Sequence, residues 1–379
     1  MIGYVTLYFF GSIGHFPIIF GLFLFIFNLI IGNIKFSYEK LDLILLFILL
    51  CMVFLSFLLL SYERLQINYL ILYFSLLVFV FSLIFFNYKR RQIYTIVVFL
   101  FFVEFFSVLS QFFYMNFGFG LAPKSDLTYL SIQGVSLNPN NSASVIFLYY
   151  VYMSIFQYNQ KKFLYFYIFS ILAFITLILL ASRTVIICFV LYFIFFQILS
   201  LKKIQFKSIS YFFIVLVGLF FIFLNYNSKI YDFFNYEKIL SISELSSDES
   251  SGFRLVSLVR LLESFNQLGL GTLRFGSYSV FYKSSDDWLM KINPHVFFSE
   301  YSFLFGYLGF FVSIGLWLVL ILKLIKNNTL NGFLKFPIVL SIILLQAVPS
   351  SVLVIIVFIP MLMVICYSNY NPDINGKEK

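Results

Sequence analysis

Two histidines, His15 and His295, supply all the imidazole in this 379-residue chain. His295 stands in Asn293-Pro294-His295-Val296-Phe297-Phe298-Ser299-Glu300-Tyr301, where a long hydrophilic stretch gives way to an apolar run. Imidazole is the usual side chain for accepting a proton near neutral pH. Glu300, five residues on, can orient or tune it. The plainer reading is an interfacial histidine in an aromatic belt. His15, close to Pro17 at the end of an apolar run, fits interfacial packing better than chemistry.

Arg183, in Ala181-Ser182-Arg183-Thr184, is the one charge between Lys162 and Lys202. Membrane spans of roughly 20 residues fit on either side of it, which puts it at a membrane boundary. A guanidinium there suits an anion ligand, because its planar fork grips two phosphate oxygens and it stays charged. A snorkelling arginine at a tight turn is the alternative. Arg254 follows Ser250-Ser251-Gly252-Phe253, and apolar residues at 255, 258, 259, 262 and 265 trace one face of a helix. An arginine in a first turn is opposed by the helix dipole, so an anion beside the free N–H groups would relieve it. The alternative is a solvated charge on an amphipathic helix at the membrane surface. Arg260 has Glu263 three residues on as an ordinary partner.

Weaker signals complete the set. Gly269-Leu270-Gly271 lacks the strand and spacing of a nucleotide loop and reads as a flexible turn leaving the helix. Gly306 and Gly309 read as small residues for close helix packing. Glu104, inside an apolar run, is either functional or else protonated or paired within the bundle. Asp286-Asp287 could bind a divalent cation but reads better as a solvated pair on a loop. Cys51, Cys188 and Cys366 lie far apart in apolar runs and read as small buried hydrophobes.

These residues need elements to hold them, and the composition says what those are. Hydrophobic residues make up 62% of the chain and charged residues 11%, which excludes a soluble enzyme, a disordered chain and a coiled coil. The apolar runs do not alternate, which argues against a β-barrel. Spans are predicted near 14–34, 41–60, 67–86, 93–113, 142–158, 163–181, 184–200, 208–226, 297–322, 334–348 and 351–368. The fold expected is an all-α polytopic membrane protein of about 11 (10–12) transmembrane helices. The N-terminal run lacks a basic n-region and an A-x-A-like site, so it is expected to remain as a span.

Basic residues set the orientation. Lys35 and Lys40, Lys89 to Arg91, Lys161 and Lys162, Lys202 to Lys207, and Lys323 to Lys335 occupy alternate loops, which are therefore cytoplasmic. The net charge of +9 is then topogenic, and scattered short basic loops do not form a nucleic-acid surface. Three regions result: an N-terminal bundle over 1–226, a large helix-rich extracytoplasmic loop over 227–296, and C-terminal spans with a cytoplasmic tail over 297–379. The loop holds seven Lys or Arg and eight Asp or Glu, so it is nearly neutral and suited to water and ligand rather than topogenesis.

Ser182-Arg183, the stretch from Ser251 to Gly271, and the stretch from His295 to Gly309 together resemble the O-antigen ligase and polymerase superfamily of bacterial envelope glycan assembly. In that family a Ser-Arg pair opens a span, a Ser-Gly-Arg-like helix start leads into Gly-x-Gly, and His-Asn-x-x-Leu-Glu precedes Gly-x-x-Gly. Here Phe253 interrupts the Gly–Arg pair, Val296 follows the histidine, and Ser299 precedes Glu300. Glu300, Gly306 and Gly309 keep the family's offsets, and Asn138-Pro139-Asn140-Asn141 is similar to its polar entry to the fifth span.

The resemblance implies a multi-pass glycosyltransferase of the bacterial inner (plasma) membrane that needs neither metal nor cofactor. Its donor would be an undecaprenyl-diphosphate-linked glycan. His295 would be the catalytic base, Arg183 and Arg254 would hold the diphosphate, and Ser182, Arg260 and Glu300 would support them. A polysaccharide polymerase of O-antigen or capsule type is favoured, with a second lipid-linked glycan as acceptor and with membrane lipids and a chain-length regulator as partners. The alternative is a ligase that passes the glycan to lipid A-core. A lipid-linked glycan flippase fits less well, since it would bury charges in its spans and show related halves. The orientation is checked by impermeant labelling of a Ser247→Cys variant, which should react from the outer face. Labelling only from the cytoplasmic side would reverse the topology.

Overall fold

The structure is a computed structural model that describes residues 39–60, 90–122, 139–160, 162–200, 257–273, 296–326 and 332–345, with parts of 70–81, 132–135 and 361–365. The predicted spans at 14–34 and 208–226, most of those at 67–86 and 351–368, and the loop segments 227–256 and 274–295 lie outside the described residues.

Among the described residues every regular element is a helix. They are α1 (Lys40–Leu60), α2 (Arg90–Phe117), α3 (Pro139–Asn159), α4 (Phe163–Leu180), α5 (Arg183–Ser200), α6 (257–263, followed by a 3-10 turn at Phe265–Gln267), α7 (Phe297–Lys326) and α8 (Gly332–Leu345). The predicted spans that fall on described residues coincide with these helices to within a few positions. Lys40–Leu58, Arg91–Phe117 and Phe297–Lys326 are long and apolar enough to cross a membrane. The chain is therefore an α-helical membrane protein.

Two compact units divide these helices. The described residues of Tyr94–Gly252 and Asn327–Val348 form one of them. Within it α3 packs on α4, and α5 packs on α8. Tyr149, Tyr150 and Tyr192 are fully buried, and the rings of Phe166 and Phe196 stack at 4.2 Å. Two pairs of buried hydroxyls bond from helix to helix, since an apolar environment demands partners: Tyr150 with Ser170 at 2.9 Å, and Ser154 with Tyr192 at 2.6 Å. Gln157, near the end of α3, donates to Tyr94 at the start of α2. Tyr167, near the start of α4, donates to Gln197 near the end of α5. Successive helices therefore run antiparallel, and the ends that lead to the basic loops share one side of the unit.

The other unit comprises the described residues of Met1–Ile93, Phe253–Lys326 and Pro349–Tyr367. Here α1 packs along α7. Asp42, in the first turn of α1, accepts from the Glu39 N–H at 2.9 Å and pairs with Lys323 in the last turn of α7. That ion pair puts the start of α1 and the end of α7 on one side, as the distribution of basic residues requires.

The predicted single span at 297–322 needs correction. Gly306 has φ 61° and ψ −141°, which breaks α7 into an arm at 297–305 and an arm at 307–326. Phe297 lies 6.2 Å from Trp317 between ring centroids, and Phe298 lies 6.4 Å from it. Some 20 residues along an unbroken helix would separate them by about 30 Å. The short arm therefore folds back along the long one at an acute angle. Gly309 serves this reversal, since a Cβ there would overlap the Tyr301 carbonyl oxygen of the opposite arm. The long arm alone, at about 1.5 Å per residue, still covers about 30 Å, the thickness of a hydrocarbon core.

Stopping one helix and starting another strips backbone groups of their partners. In apolar surroundings each such group costs several kcal/mol. The segment 269–273 supplies what is missing. Thr272 N–H donates to Phe303 O at 2.8 Å, Leu273 N–H donates to Leu304 O at 2.9 Å, and Tyr307 N–H donates to Gly269 O at 3.1 Å. Gly269-Leu270-Gly271 is thus a docked backbone ridge rather than a flexible turn.

Glycine is required on both sides of this contact. A Cβ at Gly271 (φ 78°) would strike Leu304 O and Gly306 N, and one at Gly306 would strike Gly269 O and Gly271 N. Alanine at either position is expected to cost about 2–5 kcal/mol from backbone strain and overlap together. Gly332→Ala meets nothing within 4 Å and serves as the neutral control. Apparent Tm of the purified chain in detergent checks this, with Gly271→Ala and Gly306→Ala well below the parent and Gly332→Ala unchanged.

Candidate functional site

The residues that could do chemistry fall in both units, and each group is built differently. The first group lies around α6 and the short arm of α7. Val296 O accepts the first helical bond of the arm from Glu300 N–H at 2.9 Å. Glu300 is fully buried in that first turn, where the helix dipole favours a carboxylate. Tyr301 beside it is also fully buried, its ring stacked on Phe297 at 5.4 Å and edge-on to Tyr73 at 6.2 Å. Among the described residues its hydroxyl has no hydrogen-bond partner.

Arg260 Nη1 donates to Glu263 Oε2 at 2.5 Å, the pairing that the three-residue spacing anticipates. An exposed pair of this kind is worth little to stability. The apolar residues 258, 259 and 262 lie on one side of α6, as predicted, but that side faces outward. Ser257, Leu261 and Ser264 form the buried side instead. Arg254 and His295 lie outside the described residues.

The second group lies where α2, α3 and α5 meet. Ala181 closes α4 in the left-handed conformation, its N–H bonded to Ile178 O at 3.0 Å. Ser182 then precedes α5 and accepts from Ile186 N–H at 3.0 Å through its carbonyl. Its hydroxyl donates to Asn140 Oδ1 at 3.0 Å. The starts of α3 and α5 are thereby tied together, with the backbone of Arg183 opening α5. The Arg183 side chain is outside the described residues. Two helix starts side by side make a region that favours an anion.

Glu104 and Gln111, seven residues apart on one face of α2, hold the chain that leads into α3. Glu104 is fully buried, and its Oε2 accepts from Val135 N–H at 3.2 Å. Gln111 binds Gly134 through both ends of its amide, donating to Gly134 O at 3.2 Å and accepting from Gly134 N–H at 3.1 Å. Glu104 is thus hydrogen-bonded within the fold through one of its carboxylate oxygens. Gln111 and Asn140 were not singled out as partners. The available signals were the two-turn spacing of Glu104 and Gln111 and the lone glycine before Asn138. The sequence carries no register to say that these would meet.

Among the described residues no cluster of His, Cys, Asp or Glu is arranged to hold a metal ion. Cys188 is buried and Cys51 partly so, and neither is in a disulfide. The Ser182–Asn140 tie is testable by a double-mutant cycle. Ser182→Ala and Asn140→Ala should show a coupling of about 0.5–1.5 kcal/mol in unfolding free energy. A coupling of zero would mean that the bond does not hold the two helix starts together.

The chain was compared with models of known protein families, with curated proteins and with solved structures, and nothing matches it.

Proposed function

We propose that this chain polymerises undecaprenyl-diphosphate-linked oligosaccharide repeat units into O-antigen or capsular polysaccharide at the outer face of the bacterial inner membrane. The observation that carries this reading is the backbone contact of Gly269–Leu273 with Phe303–Tyr307. The resemblance rests on a Gly-x-Gly after an arginine-bearing helix and a Gly-x-x-Gly after a His…Glu segment. In the fold these two glycine elements bind each other, and neither glycine at the contact has room for a side chain. The residues flanking one element would include Arg254 and those flanking the other His295 and Glu300.

The chemistry proposed is glycosyl transfer with a lipid diphosphate as leaving group. His295 takes the proton of an acceptor sugar hydroxyl, the oxygen attacks the anomeric carbon, and the bond to the diphosphate breaks. Direct displacement inverts the anomeric centre. Arg183 and Arg254 hold the departing diphosphate, and this electrostatic stabilisation is the larger contribution. General-base help adds about 10²–10⁴-fold. The paired helix starts at Ser182 and Asn140 support an anion-binding role for that region. Arg260 is engaged by Glu263, so its role in this scheme is to support α6 rather than to bind diphosphate. Glu300, buried in the turn after Val296, is suited to orienting the imidazole.

Deletion of the gene should leave single-repeat glycan on gels; unlinked long chains would point to a ligase instead. Arg183→Lys and Arg254→Lys keep the charge but lose the fork, and should abolish most polymer while the protein accumulates. His295→Ala and His295→Gln should both stop chain growth. Normal-length glycan from His295→Gln would remove the base assignment, and full-length polymer from both lysine variants would reject the diphosphate clamp.

A further inference from the structure

The segment that docks at Gly306 has an inverted surface. The helix 257–263 and its continuation bury Ser257 and Ser264 with Leu261 and Leu268, and turn Leu258, Val259, Leu262 and Leu270 outward. Leu262 is 77% exposed and Leu270 72%, more than most aliphatic side chains on the long arm of α7. Of its charged residues, Arg260 lies by helical spacing opposite Leu258 and Leu262, Glu263 lies beside Val259 at the edge of the apolar face, and the two neutralise each other. Water does not explain such a surface, because turning leucines outward while hiding serines is uphill in water.

The position of the segment says what covers it. The ring of Phe265 packs 5.5 Å from Tyr307 and 5.0 Å from Phe310, and Gly269 O holds Tyr307 N–H. The segment therefore lies beside the first turns of the long arm. There Leu308 and Phe311 also face outward, and the outward apolar surface continues along the arm through Leu318, Leu322 and Ile325. An arm long and apolar enough to cross a membrane presents such residues to acyl chains. The segment that carries the exposed leucines is thus held at the end of that arm, the level at which a headgroup–acyl boundary would lie.

We propose that residues 257–270, which the sequence places in the large hydrophilic loop, are seated in the bilayer. Leu258, Val259, Leu262 and Leu270 enter the upper acyl region as a continuation of the lipid-facing side of α7. The segment thereby anchors the loop in the plane of the membrane, in the manner of an interfacial helix. This inference does not depend on the glycosyl-transfer reading.

The test uses the full chain in nanodiscs of phosphatidylethanolamine and phosphatidylglycerol. Cys51, Cys188 and Cys366 are replaced by alanine, and an environment-sensitive fluorophore is attached at Leu262→Cys, Leu270→Cys or the water-facing control Lys326→Cys. At 262 and 270, lipids with a nitroxide high on the acyl chain should quench at least about twofold more than aqueous iodide, with the reverse at 326. Iodide quenching at 262 and 270 equal to that at 326 would overturn the proposal. Shielding from both quenchers would also overturn it, since the face would then be covered by a second copy or another protein. The unaltered chain gives an independent reading. With lipids photoreactive near the headgroup, crosslinked peptides should cover 257–273. Label on 307–326 with none on 257–273 would reject the bilayer as occupant.

Discussion

A helix that stops inside apolar surroundings leaves its last carbonyls and the next helix's first N–H groups without water to turn to. The reversal at Gly306 is tolerable only because another stretch of backbone arrives at the right distance. Phe303 O, Leu304 O and Tyr307 N–H are each met by Leu273, Thr272 or Gly269 from more than 30 residues away in sequence. Two glycines make that approach possible, and two aromatic contacts from Phe265 press the ridge into place. Much of the described part of this unit follows from that contact: the fold-back of Phe297 onto Trp317, the burial of Glu300 and Tyr301, and the position of α6 beside the long arm.

The other unit meets the same constraint by different means. Its described helices have no reversal like that at Gly306, so apart from Pro337 inside α8 their backbones are satisfied internally, and side chains tie one helix to the next. Association between apolar helices in lipid gains little from the hydrophobic effect, which leaves packing and polar contacts to choose partners. The Tyr150–Ser170, Ser154–Tyr192 and Ser182–Asn140 bonds do this at successive depths along α3. At the entry to α3, Glu104 and Gln111 clamp Gly134 and Val135 through their backbone groups. A buried carboxylate and a buried amide are costly unless hydrogen-bonded. Here both are used to position a loop at the junction that also carries the start of α5.

Membership of the membrane-protein class, the places of most described helices and the sidedness of their ends were legible in the sequence. Runs of apolar residues about 20 long have one stable solution in lipid, and lysines such as Lys40 and Lys323 mark ends that prove to share a side. The Arg260–Glu263 pair was legible too, because a three-residue spacing on a helix is a local distance. The break in α7 was not. Gly306 in an apolar run is equally consistent with close packing in a straight span, since composition does not record φ. What decides is whether a partner backbone exists to satisfy the interrupted helix, and that partner, Gly269 to Leu273, lies far along the chain. Exposure of Leu258 and Leu262 was hidden for a related reason. Periodicity shows that a face is apolar, but whether it turns to protein or to lipid depends on which side Phe265 and Gly269 anchor. Sequence alone therefore determined the solvent, the places of the described helices and which of their ends lie together within a unit. Tertiary structure decided which glycines bend the chain and which apolar face remains for the bilayer, because both depend on hydrogen bonds and contacts between residues distant in sequence.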